Sequence, residues 1–130
     1  MTNYAINKNH EDFNVDEEDY SVGHKRLLSS IFTPEMLSIV QQNISDLVIK
    51  TVISALPFLQ NGYSQCKKTN PNSCFQLLGF DILLSESGKL NLLEVNQNPS
   101  LMTETPIDKN LKGEMIKNIF EMIEVPIASF

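Results

Sequence analysis

Three oxygen-bearing side chains, Asp81, Glu94 and Asn96, stand on two apolar stretches of this 130-residue chain. Asp81 lies within CFQLLGFDILLS (Cys74 to Ser85), and Glu94 and Asn96 lie within LNLLEVNQNPS (Leu90 to Ser100). Two carboxylates converging on apolar strands repel each other and resist burial. A divalent cation removes that conflict, and hard oxygen donors suit magnesium or manganese rather than zinc. Such sites keep coordination positions for water and phosphate oxygens, so the set implies a phosphate-bearing substrate, most often ATP. The competing reading is plainer. Glu94 and Asn96 then mark the exposed end of a strand, and Asp81 is a lone acid held by hydrogen bonds.

Both stretches must be strands for the cluster to form. CFQLLGFDILLS is apolar on both faces, and Ser85-Glu86-Ser87-Gly88-Lys89 is a turn, so LNLLEVN (Leu90 to Asn96) returns to close a hairpin. Alternation puts Glu94 and Asn96 on one face with Leu92, and Asp81 on one face with Gly79 and Leu83. The faces coincide if Asp81 opposes Glu94. A regular ladder then pairs Ser85 with Leu90, leaves the four-residue loop Glu86 to Lys89, and sets Gly79 opposite Asn96. If Asp81 opposes Leu93, the acids separate. A bulge rescues an odd-length loop.

Helices flank the hairpin. Thr33-Pro34-Glu35 supplies an N-cap, a proline at the first helical position and an acid at the positive dipole end. Leu37, Val40, Ile44, Leu47, Val48, Thr51 and Ala55 follow on one face, and Pro57 predicts an end near Leu56. Asn61-Gly62 and Asn70-Pro71-Asn72 mark a polar loop. Asp108 caps a last helix with the apolar face Leu111, Met115, Ile116, Ile119, Phe120 and Ile123, stopped by Pro126, and Gly113 weakens it. Tyr4 and Ile6 suggest an extended N-terminal piece, and His10 to Ser21 reads as an acidic surface loop without the glycine and final Glu of a calcium loop.

Composition narrows the function classes. A net charge of −6 argues against non-specific nucleic-acid binding and against an anionic membrane surface. No apolar run reaches a membrane span, and the N-terminus has neither the basic flank nor the apolar core of a signal peptide. Cys66 and Cys74 give no disulfide framework and no metal spacing, which fits reduced thiols in a cytosolic protein.

TNYAINK (Thr2 to Lys8), GHKRLLS (Gly23 to Ser29), DLVIKTVISA (Asp46 to Ala55), FQLLGFDILL and LLEVNQNPSLMTETPID occur in this order. Together they resemble the tubulin tyrosine ligase-like family of ATP-grasp amino-acid ligases, and the polyglutamylase branch above the others. The resemblance implies an α+β fold: the C-terminal portion of an ATP-grasp domain, an antiparallel hairpin or sheet packed with two helices. It assigns magnesium (or manganese) to Asp81, Glu94 and Asn96. It assigns ATP contacts to Thr2 and Asn3, and the glutamate substrate to Tyr4, Lys25, Arg26 and Lys112. It names no catalytic side chain beyond the metal site.

The implied reaction activates a tubulin-tail glutamate with ATP as an acyl phosphate, which the amine of free glutamate displaces. The expected setting is cytoplasmic, on microtubules, with cilium or basal body as finer locations. The alternatives are an ATP-grasp ligase for another amino acid or another protein, and a non-catalytic remnant that binds tubulin. The sequence also departs from the family pattern. Met1 stands where the family has Leu before the Thr-Asn pair, Gln97 stands where many glutamylases have His, and no Gly-rich phosphate loop is present. The expectation is therefore a partial domain, residues 1–130. Its nucleotide-holding subdomains lie upstream, the piece is inactive alone, and an apolar surface is left where those subdomains dock.

Overall fold

The structure, a computed structural model, describes residues 25–65 and 74–123. The expected N-terminal strand, the acidic loop, Asn70-Pro71-Asn72, Cys66 and Pro126 lie outside them. The elements in order are α1 (Leu28–Ile31), α2 (Pro34–Ser64), β1 (Gly79–Leu84), β2 (Leu90–Asn96) and α3 (Pro106–Met122). The chain divides into two compact units. One holds α1 and α3 (Met1–Thr33 with Leu101–Phe130), and the other holds α2 and the hairpin (Pro34–Ser100). The fold is α+β, as expected, with a single turn of helix, α1, that the apolar period does not reveal.

In the second unit, α2 packs against β2. Its half-buried positions are Leu37, Val40, Ile44, Leu47, Val48 and Thr51, the stripe that helical period predicts, and Tyr63 in its last turn, while Ala55 is exposed. Leu47, Lys50 and Thr51 line a groove against Leu90 and Leu92 of β2. The helix does not stop near Leu56. It runs through Pro57 to Ser64 and takes Asn61-Gly62 into its last turn. A proline removes one ladder bond at a cost of about 3 kcal/mol. A helix already nucleated over many turns continues past it, because each further residue adds a bond without a new nucleus. Beyond the stripe, Ile39, Ile49, Ile53, Phe58 and Leu59 stay exposed.

The hairpin is antiparallel. Cys74–Leu78, expected as part of the first strand, lies outside the ladder. The turn is closed from several sides. Ser85 N–H donates to Lys89 O (2.9 Å), Gly88 N–H donates to Ser85 O (2.9 Å), and Ser85 Oγ accepts Lys89 N–H (3.1 Å). Gly88 has φ 79°, a left-handed conformation that glycine adopts without steric cost.

In the first unit, Thr105 rather than Asp108 is the N-cap of α3. Its hydroxyl accepts Asp108 N–H (3.3 Å), and Pro106 follows in the first turn. Asp108 is the third helical residue, so Thr105-x-x-Asp108 is a variant of the capping box. Met115, Ile116, Ile119 and Ile123 are half-buried as the period predicts, whereas Leu111 and Phe120 are exposed. Among the described residues only Thr105 and Ile107 are buried, and both belong to this capping turn.

Candidate functional site

The ladder brings the three oxygen-bearing residues together by a route that the regular register does not provide. Near the turn the pairs are Leu84 with Leu90, Leu83 with Asn91, and Ile82 with Leu92. The turn therefore spans Ser85 to Lys89, and the four-residue turn with Ser85 opposite Leu90 is corrected. Continued unchanged, this register would set Asp81 opposite Leu93 and turn the acids to opposite faces. Instead the register shifts between Asp81 and Ile82. Leu93 is the extra residue of a β-bulge, and beyond it Asp81 opposes Glu94, Phe80 opposes Val95, and Gly79 opposes Asn96.

Directly opposed residues share a face. One face therefore carries Phe80, Ile82 and Leu84 with Val95, Leu92 and Leu90. The other carries Gly79, Asp81 and Leu83 with Asn96, Glu94 and Asn91. Leu92 belongs to the apolar face, not to the face of Glu94 as alternation without a bulge implies. The bulge is what lets LNLLEVN keep Leu90, Leu92 and Val95 on one side and Asn91, Glu94 and Asn96 on the other.

Asn96 ties the cluster. Its Nδ2 donates to Asp81 Oδ2 (3.1 Å) and lies 3.4 Å from Glu94 Oε1. The amide thus bridges both carboxylates, and its nitrogen end is the one that suits two anions. Its oxygen is exchangeable with that nitrogen by rotation about the terminal bond. Asp81 and Glu94 are exposed and Asn96 is half-buried.

The neighbouring loop is pinned to the same end of the sheet. A Cβ at Gly79 would lie 3.0 Å from Pro99 Cβ and 3.6 Å from Asn96 Cβ. Glycine at this position lets Pro99 pack close over β1 beside Asn96 without crowding. Gln76 Nε2 donates to Gln97 O (2.5 Å) and to Leu77 O (3.1 Å), fastening the lead into β1 to the exit of β2.

The donor set fits a magnesium-type ion, which takes one or two carboxylates and completes its shell with water and phosphate oxygens. It does not resemble a site built from protein ligands alone. Among the described residues no three His, Cys, Asp or Glu side chains gather as a metal cluster. The two acids and one amide of the hairpin are the donor set that the ladder gathers at this strand end.

A second polar cluster occupies the capping turn of α3. Asp108 Oδ2 accepts Lys25 Nζ (2.6 Å) and the Thr105 hydroxyl (2.8 Å), and Asp108 Oδ1 lies 3.5 Å from Lys112 Nζ. Lys112 also donates to Met102 O. Partial burial pushes the Asp108 carboxyl up. The Lys25 and Thr105 hydrogen bonds and the charges of Lys25 and Lys112 outweigh it and hold the group below its ordinary value.

Lys25 and Lys112, both expected at the substrate, are thus brought to one carboxylate. Arg26 is exposed. Thr2, Asn3 and Tyr4 lie outside the described residues. The sequence pattern predicts only a capping role for Asp108. The capping-box spacing of Thr105 and Asp108 was the available signal.

Both clusters sit in a chain that comparison places in one family. The sequence profile of the tubulin-tyrosine ligase family matches residues 1–129, so the chain belongs to that family. It is 39% identical over 132 residues to a probable beta-tubulin polyglutamylase of Tetrahymena thermophila, covering 95% of this chain and 11% of that protein. It is 38% identical over 133 residues to tubulin polyglutamylase ttll6 of Danio rerio, covering 96% and 17%. It is 34% identical over 130 residues to tubulin monoglutamylase TTLL4 of Mus musculus, covering 94% and 11%. The chain therefore spans between 11% and 17% of the length of these relatives.

Proposed function

We propose that this chain is the C-terminal part of an ATP-grasp domain in an enzyme that ligates glutamate to side-chain carboxylates of tubulin tails, using ATP and magnesium. The observation that carries the reading is the pairing of Asp81 with Glu94, with Asn96 bridging both. The names of the relatives support tubulin as the acceptor and glutamate as the amino acid added.

In this reading Asp81, Glu94 and Asn96 hold the cation. When bound, it offsets charge on the ATP phosphates and keeps the reacting oxygens in line. The bulge at Leu93 aims Glu94, and Gly79 and Pro99 fix the approach to Asn96. Thr2 and Asn3 contact ATP. Tyr4, Arg26, Lys25 and Lys112 receive the amino-acid substrate, the two lysines by pairing its carboxylates. The location is cytoplasmic, on microtubules, with cilium or basal body as the finer assignment. No helix among the described residues is long and apolar enough to cross a membrane.

The test is incorporation of radiolabelled glutamate into tubulin by the full-length enzyme, with and without ATP and magnesium. Incorporation that needs both is expected. No incorporation under any of these conditions overturns the ligase reading.

A further inference from the structure

We propose that Asp108 is a positioning residue, which holds the Lys25 and Lys112 ammonium groups as one cationic site for a carboxylate of the amino-acid substrate. This deepens the proposed function and rests on it. Asp108 is the enclosed member of the cluster: its side chain is 14% exposed, against 38% for Lys25 and 25% for Lys112. The acid is withdrawn and both cations are reachable. The N-terminal turn of α3 adds the positive end of its dipole to the two ammonium groups.

The carboxylate divides its two oxygens between the lysines. Oδ2 takes Lys25, which stands 83 positions away in sequence, and Oδ1 faces Lys112 on the next turn of α3. Lysine is a point charge on a flexible four-carbon stem. Holding two of them before the ligand arrives reduces the ordering that binding requires.

The capping of α3 does not need this carboxylate. The Thr105 hydroxyl accepts the Asp108 backbone N–H, and Thr105 O accepts Lys109 N–H (3.0 Å), whatever charge Asp108 carries. Asp108 joins a cation of its own helix, Lys112, to Lys25, 83 positions away in sequence.

The experiment uses the full-length enzyme as wild type, Asp108→Asn, Asp108→Glu and Thr105→Val. Free L-glutamate is varied in ligation assays at saturating ATP and tubulin, and its direct binding is measured by calorimetry. Asp108→Asn is expected to raise both KM and Kd for glutamate about ten-fold or more, the size expected when a charge-assisted hydrogen bond is lost. kcat and the KM for ATP should stay within about two-fold, since the interaction is with bound substrate rather than the reacting atoms. Asp108→Glu should restore most of the affinity.

Thr105→Val should lower the thermal midpoint without a matching rise in glutamate KM. The proposal falls if Asp108→Asn leaves glutamate KM and Kd unchanged. It also falls if Thr105→Val and Asp108→Asn raise glutamate KM equally while lowering the thermal midpoint equally, or if the wild type binds no L-glutamate. If the wild type binds glutamate but modifies no tubulin, the ligase reading fails alone, and the calorimetric comparison still decides the role of Asp108.

Discussion

Asp81 faces Glu94 across the hairpin although the turn between the strands, Ser85 to Lys89, has the wrong length to put them there. The extra residue Leu93 absorbs the mismatch. Register errors of one residue turn every later side chain to the other face. A single bulge therefore decides whether this strand end carries two acids together or one acid on each side.

Deleting Leu93 makes the observed pairs contiguous, from Leu84 with Leu90 through Gly79 with Asn96. Asp81 keeps its partner, so magnesium-dependent ligation by the full-length enzyme should stay within roughly ten-fold of wild type, the loss reflecting altered strand twist alone. Inserting one alanine after Leu93 removes Glu94 from its place opposite Asp81, whether the ladder keeps the bulge or absorbs it, and activity should fall by more than about 100-fold. Steady-state rates across a magnesium titration separate the two variants. Equal behaviour of deletion and insertion would remove register as the explanation.

Asp81→Asn and Glu94→Gln keep shape and remove one charge each. Outer-shell partners of metal sites are worth about 10- to 100-fold in affinity or activity, and a direct ligand should exceed that. Each variant should therefore lose at least about 100-fold in ligation rate. Both acids are exposed, so stability should change by less than about 0.5 kcal/mol. Thermal melts beside activity assays check both halves, and wild-type magnesium dependence in either variant would end the metal assignment.

The Asp108 carboxyl lies below its ordinary value in the folded chain, since its bonds to Lys25 and Thr105 and the nearby lysine charges outweigh the effect of burial. A depressed folded pKa means the charged form is favoured by folding. The contribution is complete above the unfolded pKa, about pH 4, and is lost as pH falls through the folded value. The difference in thermal midpoint between wild type and Asp108→Asn should be constant from neutral pH to about pH 5, then shrink with further acidification. A difference that grows as pH falls would show the opposite sign of linkage.

The legible features were those that local pattern encodes. Helical period found Leu37, Val40, Ile44, Leu47, Val48 and Thr51, all half-buried, and both ends of β2 fall where the strand was expected. The rest depended on competition between local rules, or on distance. Pro57 reads as a stop, yet a long nucleated helix passes through it. The bulge was written in LNLLEVN as a doubled leucine between two alternating runs, a signal that strict period-two reading discards. The bond from Lys25 to Asp108 joins residues 83 apart, which no spacing rule reaches.

Two glycines with opposite surroundings give a last test. Gly79 has Pro99 Cβ 3.0 Å from the place of a new Cβ, and the proline ring is rigid, so Gly79→Ala should push Pro99 back by a few tenths of an ångström from the end of β2, where Asn96 stands. Overpacking of this kind costs about 1–3 kcal/mol, and activity should fall with stability because Asn96 moves with Pro99. Gly113 lies inside α3 with nothing within 4 Å of a new Cβ. Gly113→Ala there should raise stability by about 0.5–1 kcal/mol, because alanine loses less backbone freedom on folding. Denaturant titrations of the two variants should move in opposite directions from wild type. If Gly79→Ala is as stable and active as wild type, the contact between Gly79 and Pro99 does not hold the site, and Asn96 must be fixed by Gln76 and the strand ladder instead.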